Sequence, residues 1–529
     1  MRGAVAAGHR LTAEAGAEVL REGGNAVDAC IASAFASWVA ESTLTGPGAG
    51  GFLLVHRARD DAVRLLDFFA SIPGHGLEEP PGEMEEVKVE FNRDTSQTFR
   101  IGAASCAVPG AIAGLQAAHR AYARLPWRRL LEPAIAAARE GVELNRPQAY
   151  LHEILDLILR HTEAGREIYG PRGARLVAGE RTVMPDLAAT LEQLAEEGAD
   201  AFYRGDLGRR VCEHVRAAGG SFTERDLAQY RVISRRPIRV SFDRHEFVSN
   251  PPPSSGGILI GYGLLLLAQL GAGGRPGSAE AIARLAEVMR EQTRARGGGF
   301  TRDLYRGGLT SRLYADGSVA AAAARIRGRE GAIPQRPEAA EHSRESAGVS
   351  GTTHISVVDA AGNAASLTAS NGSGSGVIVP GTGIHLNNML GEYDLNPVGR
   401  SVQIGRRLTS MMAPSLVLEG ERPRLVVGSA GSVRLRGAIL QIVVNVAVHG
   451  MSVAEAIGRP RMHLEDPLVH CEGGADSAEL DRLESWGYEL VRWRQRNLYF
   501  GGASAVELRA DGSLDAAGDP RRGGHGVVV

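Results

Sequence analysis

Lysine is almost missing from this chain: of its 59 basic residues only Lys88 is a lysine. Lys88 follows Val87, so there is no G-x-x-x-x-G-K-[ST] phosphate loop, and no other lysine could form a Schiff base. The arginine bias itself reads as nucleotide composition. An excess of either charge is lacking too. The 59 basic and 61 acidic residues leave a net charge of −2, which argues against a nucleic-acid or polyanion binder. Cysteine is sparse: Cys30, Cys106, Cys212 and Cys471 are scattered without a C-x-x-C pair. That excludes a disulfide framework and a zinc ribbon, and suits a reducing compartment. Long hydrophobic runs are absent as well. The strongest, residues 258–270, is too short to span a bilayer and reads as a buried helix. The opening residues lack the continuous apolar stretch of a signal peptide, so the expectation is a cytoplasmic protein without a membrane partner.

Several catalytic signatures are missing in an informative way. Gly46, Gly48 and Gly51 fit G-x-G-x-x-G, but with helix before and strand after, the reverse of a dinucleotide fingerprint. His152-Glu153 has Asp156 where a zinc protease needs its second histidine, and no G-x-S-x-G elbow occurs. The 15 histidines show no metal-ligand spacing, so no metal is expected.

What is present is a long chain with a varied pattern. Its 529 residues, 43% hydrophobic and 23% charged, suit three or four domains or one large α/β unit. Residues 11–41 read as two helices split by Gly23-Gly24-Asn25, and a hairpin is expected about Asp60-Asp61. From Val108 to about Leu270 the pattern is mainly helical, clearest at 132–141 and 185–197. Residues 325–350 are charged and punctuated by proline and glycine, the pattern of an exposed linker. Beyond it, 354–358 and 364–369 pair about Asp359–Asn363, 416–419 pairs with 424–427, and a buried helix is expected at 434–448. Strands and helices mix without strict β-α-β alternation, which favours a layered α/β sandwich with antiparallel pairing.

Two segments carry chemistry. Gly351-Thr352-Thr353-His354 sits where the linker meets a strand. A threonine hydroxyl needs a base, and a cut before Thr352 would free an α-amino group on the same residue, with a pKa near 7.7–8.0. The alternative is a threonine that merely starts a hairpin. Gly428-Ser429-Ala430-Gly431-Ser432 joins a strand to a helix and offers backbone N–H groups at a helix N-terminus, either as an oxyanion hole or only as a tight turn.

Taken together the residues resemble the γ-glutamyltranspeptidase family along nearly the whole chain. The resemblance rests on Gly23-Gly-Asn-Ala-Val-Asp-Ala29, the Gly46–Phe52 loop, Val108-Pro-Gly110 and Pro251-Pro-Pro-Ser-Ser-Gly-Gly257. It continues through Thr352-Thr-His354, Val357-Val-Asp359, Gly362-Asn363, Leu386-Asn-Asn388, Gly428-Ser429 with Gly431, and Asp519-Pro-Arg521. It implies the fold class α/β (α+β): the four-layer αββα sandwich of N-terminal-nucleophile hydrolases. It also implies a proenzyme cut between Gly351 and Thr352. The pieces would be a large subunit 1–351, with an exposed linker at about 325–351, and a small subunit 352–529 that stays bound to it.

By resemblance, Thr352 attacks first its own preceding carbonyl and then a substrate amide, with its amino group as base and no cofactor. Ser370 replaces a second threonine that bonds the nucleophile, and Gly431 with Ser432 matches the paired glycines of the oxyanion hole. The implied partners are a glutathione-like amide or peptide, with water or an amine as acceptor. Substrate-binding positions map to Asn371, Glu392 in place of aspartate, Met389 in place of glutamine, and Thr409-Ser410 in place of two serines. Phe69 stands where the family carries the arginine that grips the glutamyl α-carboxylate, a pair worth about 1.5–3 kcal/mol. Arg400, Arg406 and Arg407 are the candidates to take over. Otherwise the acyl group is not a standard γ-glutamyl, and an acylase or a small-amide amidohydrolase is implied. A third reading is an unprocessed homologue serving as a binding protein.

Overall fold

The computed structural model describes residues 2–78, 80–92, 95–329, 351–392 and 403–529. Its frame is thirteen strands: β1 (Gly3–Ala7), β2 (Gly50–Arg57), β3 (Ala62–Phe68), β4 (Ile233–Arg235), β5 (Ile238–Phe242), β6 (His245–Ser249), β7 (Gly351–Asp359), β8 (Ala364–Gly372), β9 (Ser415–Glu419), β10 (Arg422–Ala430), β11 (Gly502–Leu508), β12 (Leu514–Gly518) and β13 (His525–Val528). They form a seven-stranded sheet, β13-β1-β7-β8-β2-β3-β4, and a six-stranded sheet, β12-β11-β10-β9-β6-β5. Neighbours in both are antiparallel.

Alternation along the strands makes the layers, because successive side chains point to opposite faces. On β1 and β2, Val5, Ala7, Leu53 and Val55 join the core under the first helices, with Ile31 and Phe35. Ala4, Ala6, Phe52 and Leu54 join the other core, with Phe247, Val417 and Val426 of the second sheet. The helices over the first sheet are α1 (Arg10–Arg21), α2 (Ala26–Ala40) and α3 (Ala111–Tyr122), with α4 (Trp127–Glu140) and α5 (Pro185–Glu197) behind them. Over the second sheet lie α6 (Gly256–Leu270) and α9 (Leu435–Ala447), flanked by α7 (Ala279–Arg294) and α8 (Asp316–Arg329). Every residue of α2 is buried, and most are apolar, as expected of a helix packed on several sides. The result is the four-layer αββα sandwich expected from the sequence.

Most of the expected elements form, with two differences. The stretch read as helical up to Leu270 contains five strands: β4 to β6 before its last helix, and the two-residue strands Val142–Glu143 and Arg181–Thr182. They are short and mostly at sheet edges, and β5 alternates buried and exposed residues too briefly to stand out against the helices around it. The linker also starts later than expected: Arg325 to Arg329 belong to α8, where Arg325 and Arg329 pair with the buried Glu291. The rest of the linker, 330–350, lies outside the described residues. Among the described residues no helix is long and apolar enough to cross a membrane.

The start of α2 ties distant parts of the chain together. Asn25 Oδ1 accepts from Val27 N at 2.9 Å and Asp28 N at 3.0 Å, and its Nδ2 donates to Tyr122 O at 2.7 Å. Asp359, the last residue of β7, accepts from Ala26 N at 3.0 Å. Replacing Asn25 with Ala removes the cap and is expected to cost about 1 kcal/mol, read as a lower urea midpoint with an unchanged circular dichroism spectrum.

Candidate active site

The first two residues of β7 define the site. Opposite them, Gly351 pairs with Gly372 but Thr352 pairs with Ser370, so Asn371 is an extra residue, a β-bulge in β8. Gly351 is packed flush: a Cβ there would lie 2.8 Å from Thr43 O and 3.2 Å from the Leu44 Cα, and would also strike Gly372 O. Only glycine fits. The bulge turns Ser370 toward both residues across from it. Thr352 Oγ1 donates to Ser370 Oγ at 3.1 Å, and Ser370 Oγ donates to the Gly351 carbonyl oxygen at 2.6 Å. Gly372 N–H donates to Ser370 Oγ at 2.9 Å, fixing the rotamer of that hydroxyl. The hydroxyl of Thr352 is therefore linked through one side chain to the carbonyl on its own N-terminal side.

Around this pair sit groups of distinct kinds. Asn371 N donates to Leu44 O at 3.1 Å, while its buried Oδ1 has no partner among the described residues. Glu392 closes the same end of β8: a Cβ on Gly372 would lie 3.2 Å from its Oε1. Thr353 Oγ1 donates to Glu41 at 2.5 Å, and Thr12 Oγ1 donates to the other oxygen at 2.8 Å. Burial raises the Glu41 carboxyl against the pull of these hydrogen bonds and of Arg522. Arg522, from the 3-10 turn Pro520–Arg522, donates Nη1 to the Thr352 carbonyl oxygen at 3.2 Å.

His354 is not part of the chemistry. Its ring lies between the sheets, pairing with Thr368 Oγ1 at 2.8 Å and Ser356 Oγ at 3.0 Å, and burial lowers its pKa to about 3. It fills the space that the missing side chain of Gly428 leaves.

The strand-to-helix turn after β10 has the strain of a functional loop. Gly431 has φ 122°, and Ser432 has φ 52°, in the left-handed region that disfavours any side chain. A Cβ on Gly431 would lie 3.1 Å from the Cα of Gly501. Arg434, two residues on, stacks 4.2 Å over the Tyr499 ring, which pins the turn from behind.

The other residues expected to read the substrate, Phe69, Met389, Thr409 and Ser410, form a second group one strand further on. Gly50 pairs with Ser370, and a Cβ on Gly50 would lie 3.1 Å from the Cα of Phe69. Phe69 is buried and stacks on Phe52 at 5.4 Å. Met389 is buried in the same apolar core. Segment 407–410 runs alongside: Leu408 N donates to Ala70 O at 3.0 Å, and Ser410 O accepts from Ser254 Oγ at 3.0 Å. Ser410 Oγ accepts from Met412 N at 3.0 Å, and Thr409 is buried beside it.

Of the arginines expected to replace the missing clamp, Arg407 is engaged elsewhere. Arg407 is neither solvated nor available: Nη1 donates to Phe69 O at 2.8 Å, and Nη2 to Arg231 O at 2.7 Å and Asp67 O at 3.2 Å. Its Nε lies 3.1 Å from Asp67 Oδ1. It is the pin that holds the Asp67–Phe69 corner, a role visible only once Asp67 is seen to be buried. The guanidinium carbon of Arg406 lies 3.2 Å from the centre of the Tyr305 ring. Arg400 lies outside the described residues.

Sequence reasoning missed Arg522 and Glu41. The signal for Arg522 was its place directly after Asp519-Pro520-Arg521; nothing local marks Glu41. Among the described residues there is no cluster of His, Cys, Asp or Glu able to hold a metal ion. A cavity of about 170 Å³ sits elsewhere, among Leu267, Leu285, Val444 and Arg459, and shares no residue with this cluster.

Comparison with known proteins agrees with this architecture. The sequence model of one family, Gamma-glutamyltranspeptidase, matches residues 12–529. The Acylase ACY 1 proenzyme of Pseudomonas sp. (strain SE83) is 33% identical, over 100% of this chain and 94% of its own length. The Glutathione hydrolase proenzyme of Pseudomonas aeruginosa is 30% identical, again over 100% of this chain and 94% of its own. Among solved structures, the cephalosporin acylase from Bacillus halodurans shares the fold, with a TM-score of 0.83 at 23% identity over 99% of this chain and 95% of that one.

The strain at Ser432 is testable by itself. Ser432→Gly relieves a left-handed φ and is expected to raise stability by about 1 kcal/mol, seen as a higher urea midpoint.

Proposed function

This chain belongs to the γ-glutamyltranspeptidase family, and we propose that it is a self-processing threonine amidohydrolase and acyltransferase acting through an ester on Thr352. The observation that carries the proposal is the hydrogen-bonded path from Thr352 Oγ1 through Ser370 Oγ to the Gly351 carbonyl oxygen. In the precursor, Oγ1 attacks the Gly351 carbonyl carbon. Its proton passes to Ser370, whose own proton goes to the carbonyl oxygen. Collapse breaks the Gly351–Thr352 C–N bond with the proton returning to nitrogen, and water cleaves the resulting ester. The pieces are residues 1–351 and 352–529. They stay together because β7 and β8 of the second piece are inserted between β1 and β2 of the first.

In the processed enzyme the α-amino group of Thr352 takes the hydroxyl proton as Oγ1 attacks the substrate amide, then gives it to the leaving amine. We assign the developing oxyanion to the backbone N–H groups of Gly431 and Ser432, a contribution that typically amounts to about 3–4 kcal/mol per donor. Water hydrolyses the acyl-threonine, and an amine acceptor completes transfer. Every group needed comes from the chain.

For the acyl donor we propose a γ-glutamyl amide of the glutathione type. Glu392 is suited to an ammonium, and the unpartnered Asn371 Oδ1 to an N–H donor. A second reading, an acylase acting on a non-glutamyl amide, is favoured by the replacement of the carboxylate-binding arginine by Phe69 and by the engagement of Arg407 with Asp67.

Denaturing electrophoresis is expected to show two fragments, with Thr352 at the N-terminus of the smaller, and Thr352→Ala a single full-length band. A stable wild-type precursor would sink the catalytic reading. Ser370→Ala is expected to slow processing by about 100-fold or more without unfolding the protein. A γ-glutamyl anilide and an anilide lacking the α-amino and α-carboxyl groups, compared by kcat/KM, separate the two substrate readings. The former is preferred by a glutathione-type enzyme and the latter by an acylase.

A further inference from the structure

Arg522 is buried to 3% exposure, yet among the described residues its guanidinium has one hydrogen bond, from Nη1 to the Thr352 carbonyl oxygen at 3.2 Å. Nε and Nη2 are buried without a partner. An under-bonded buried cation is unfavourable, so the fold around it must impose it. That scaffold is specific. Asp519 caps the turn that carries Arg522, accepting from Arg521 N at 3.0 Å and from Ala503 N at 3.0 Å. Asp519 is in turn gripped by Arg461 at 2.8 Å and Arg521 at 3.0 Å, and Arg521 also pairs with the buried Glu472. The stem of Arg522 then lies over Gly502, where a Cβ would collide with it. A four-residue network therefore aims one arginine at the backbone of the nucleophile.

The charged groups that face it are few. Arg434, on the turn after β10, repels it; Glu41 and Asp519 attract it. Asp519 already answers Arg461 and Arg521, and Glu41 sits in the dry pocket with Thr12 and Thr353. On the far side of Thr352, Glu392 lies against Gly372, and the His354 ring is neutral. Among the described residues, the charged group in direct contact with the Thr352 backbone is thus the Arg522 cation.

We propose that Arg522 is a positioning residue for the general base: held against the Thr352 carbonyl, its guanidinium keeps the freed α-amino group of Thr352 unprotonated at neutral pH. The inference rests on the reading that Thr352 becomes N-terminal. A carbonyl oxygen and the nitrogen of its own residue are about 3–3.5 Å apart, so Nη1 lies within about 7 Å of the amine. A cation at that range disfavours the ammonium form, so the amine titrates below its ordinary value of about 7.7–8.0. Burial and the Arg434 guanidinium pull Arg522 itself down to about 10, which leaves it charged across the working range.

The test uses the processed wild-type enzyme and two variants. The amine is titrated by nitrogen NMR of threonine-labelled protein, and kcat/KM on an acyl anilide the wild type accepts is followed from about pH 5 to about pH 10. The wild-type amine is expected to titrate at about 7 or below. Arg522→Gln moves the acid limb up by about one unit, a roughly 10-fold loss at pH 6 with the plateau kept, and Arg522→Lys leaves the limb in place. A role confined to structure lowers the plateau without moving the limb, which overturns the proposal. So does an ordinary amine pKa in the wild type, a measurement that decides the matter if Arg522→Gln fails to mature. Absence of a free N-terminal Thr352 in the wild type overturns the processing reading and this inference together, whereas a processed enzyme with an ordinary amine overturns this inference alone.

Discussion

The hydroxyl of Ser370 can touch both Thr352 Oγ1 and the Gly351 carbonyl oxygen only because β8 carries one residue more than β7 at that point. In a regular antiparallel ladder a residue faces a single partner, and its side chain stands clear of the backbone opposite. The bulge at Asn371 breaks that rule once. It is held by Asn371 N bonding to Leu44 O, and the same 43–44 turn packs against Gly351. The placing of Thr352 beside Ser370 and the choice of glycine before it therefore both lean on the end of α2.

The same end of the molecule concentrates charges that proteins usually keep in water. Glu41, Arg461, Arg521, Arg522, Glu472 and Asp519 are all buried. Pairing explains most of them: Asp519 stays below the usual carboxylate range because Arg461 and Arg521 outweigh the effect of its burial. Such a network contributes little to net stability compared with a well-packed apolar core, but it admits few alternative arrangements. Elsewhere in the fold Arg407 does the same for Asp67 and Phe69.

Much of this was legible in the chain and some was not. The hairpins about Asp60-Asp61 and Asp359–Asn363, the paired helices flanking Asn25 and the buried helix after the oxyanion turn announce themselves, since turn residues and periodicity are local signals. Thr352 stands out from the linker before it. The β-bulge does not, because register depends on which strand lies opposite. The state of Arg407 was equally hidden: an arginine looks the same in sequence whether it meets solvent, substrate or a buried Asp67. Arg522 donates to a residue 170 positions away, and the pairing of β13 with β1 and of β1 with β7 brings the two together.

The order of strands has a topological consequence. β1 and β13 are neighbours, with Val529 N bonded to Gly3 O at 2.9 Å, so the first and last described residues meet at one point. A short bridge from residue 529 to residue 2 would close the chain into a ring. Reopened between Gly351 and Thr352, that ring is a circular permutant that begins at Thr352, the proposed nucleophile. In it, chain initiation and removal of the initiator methionine would stand in for peptide cleavage, and the interleaved sheets would be one covalent piece throughout the life of the protein.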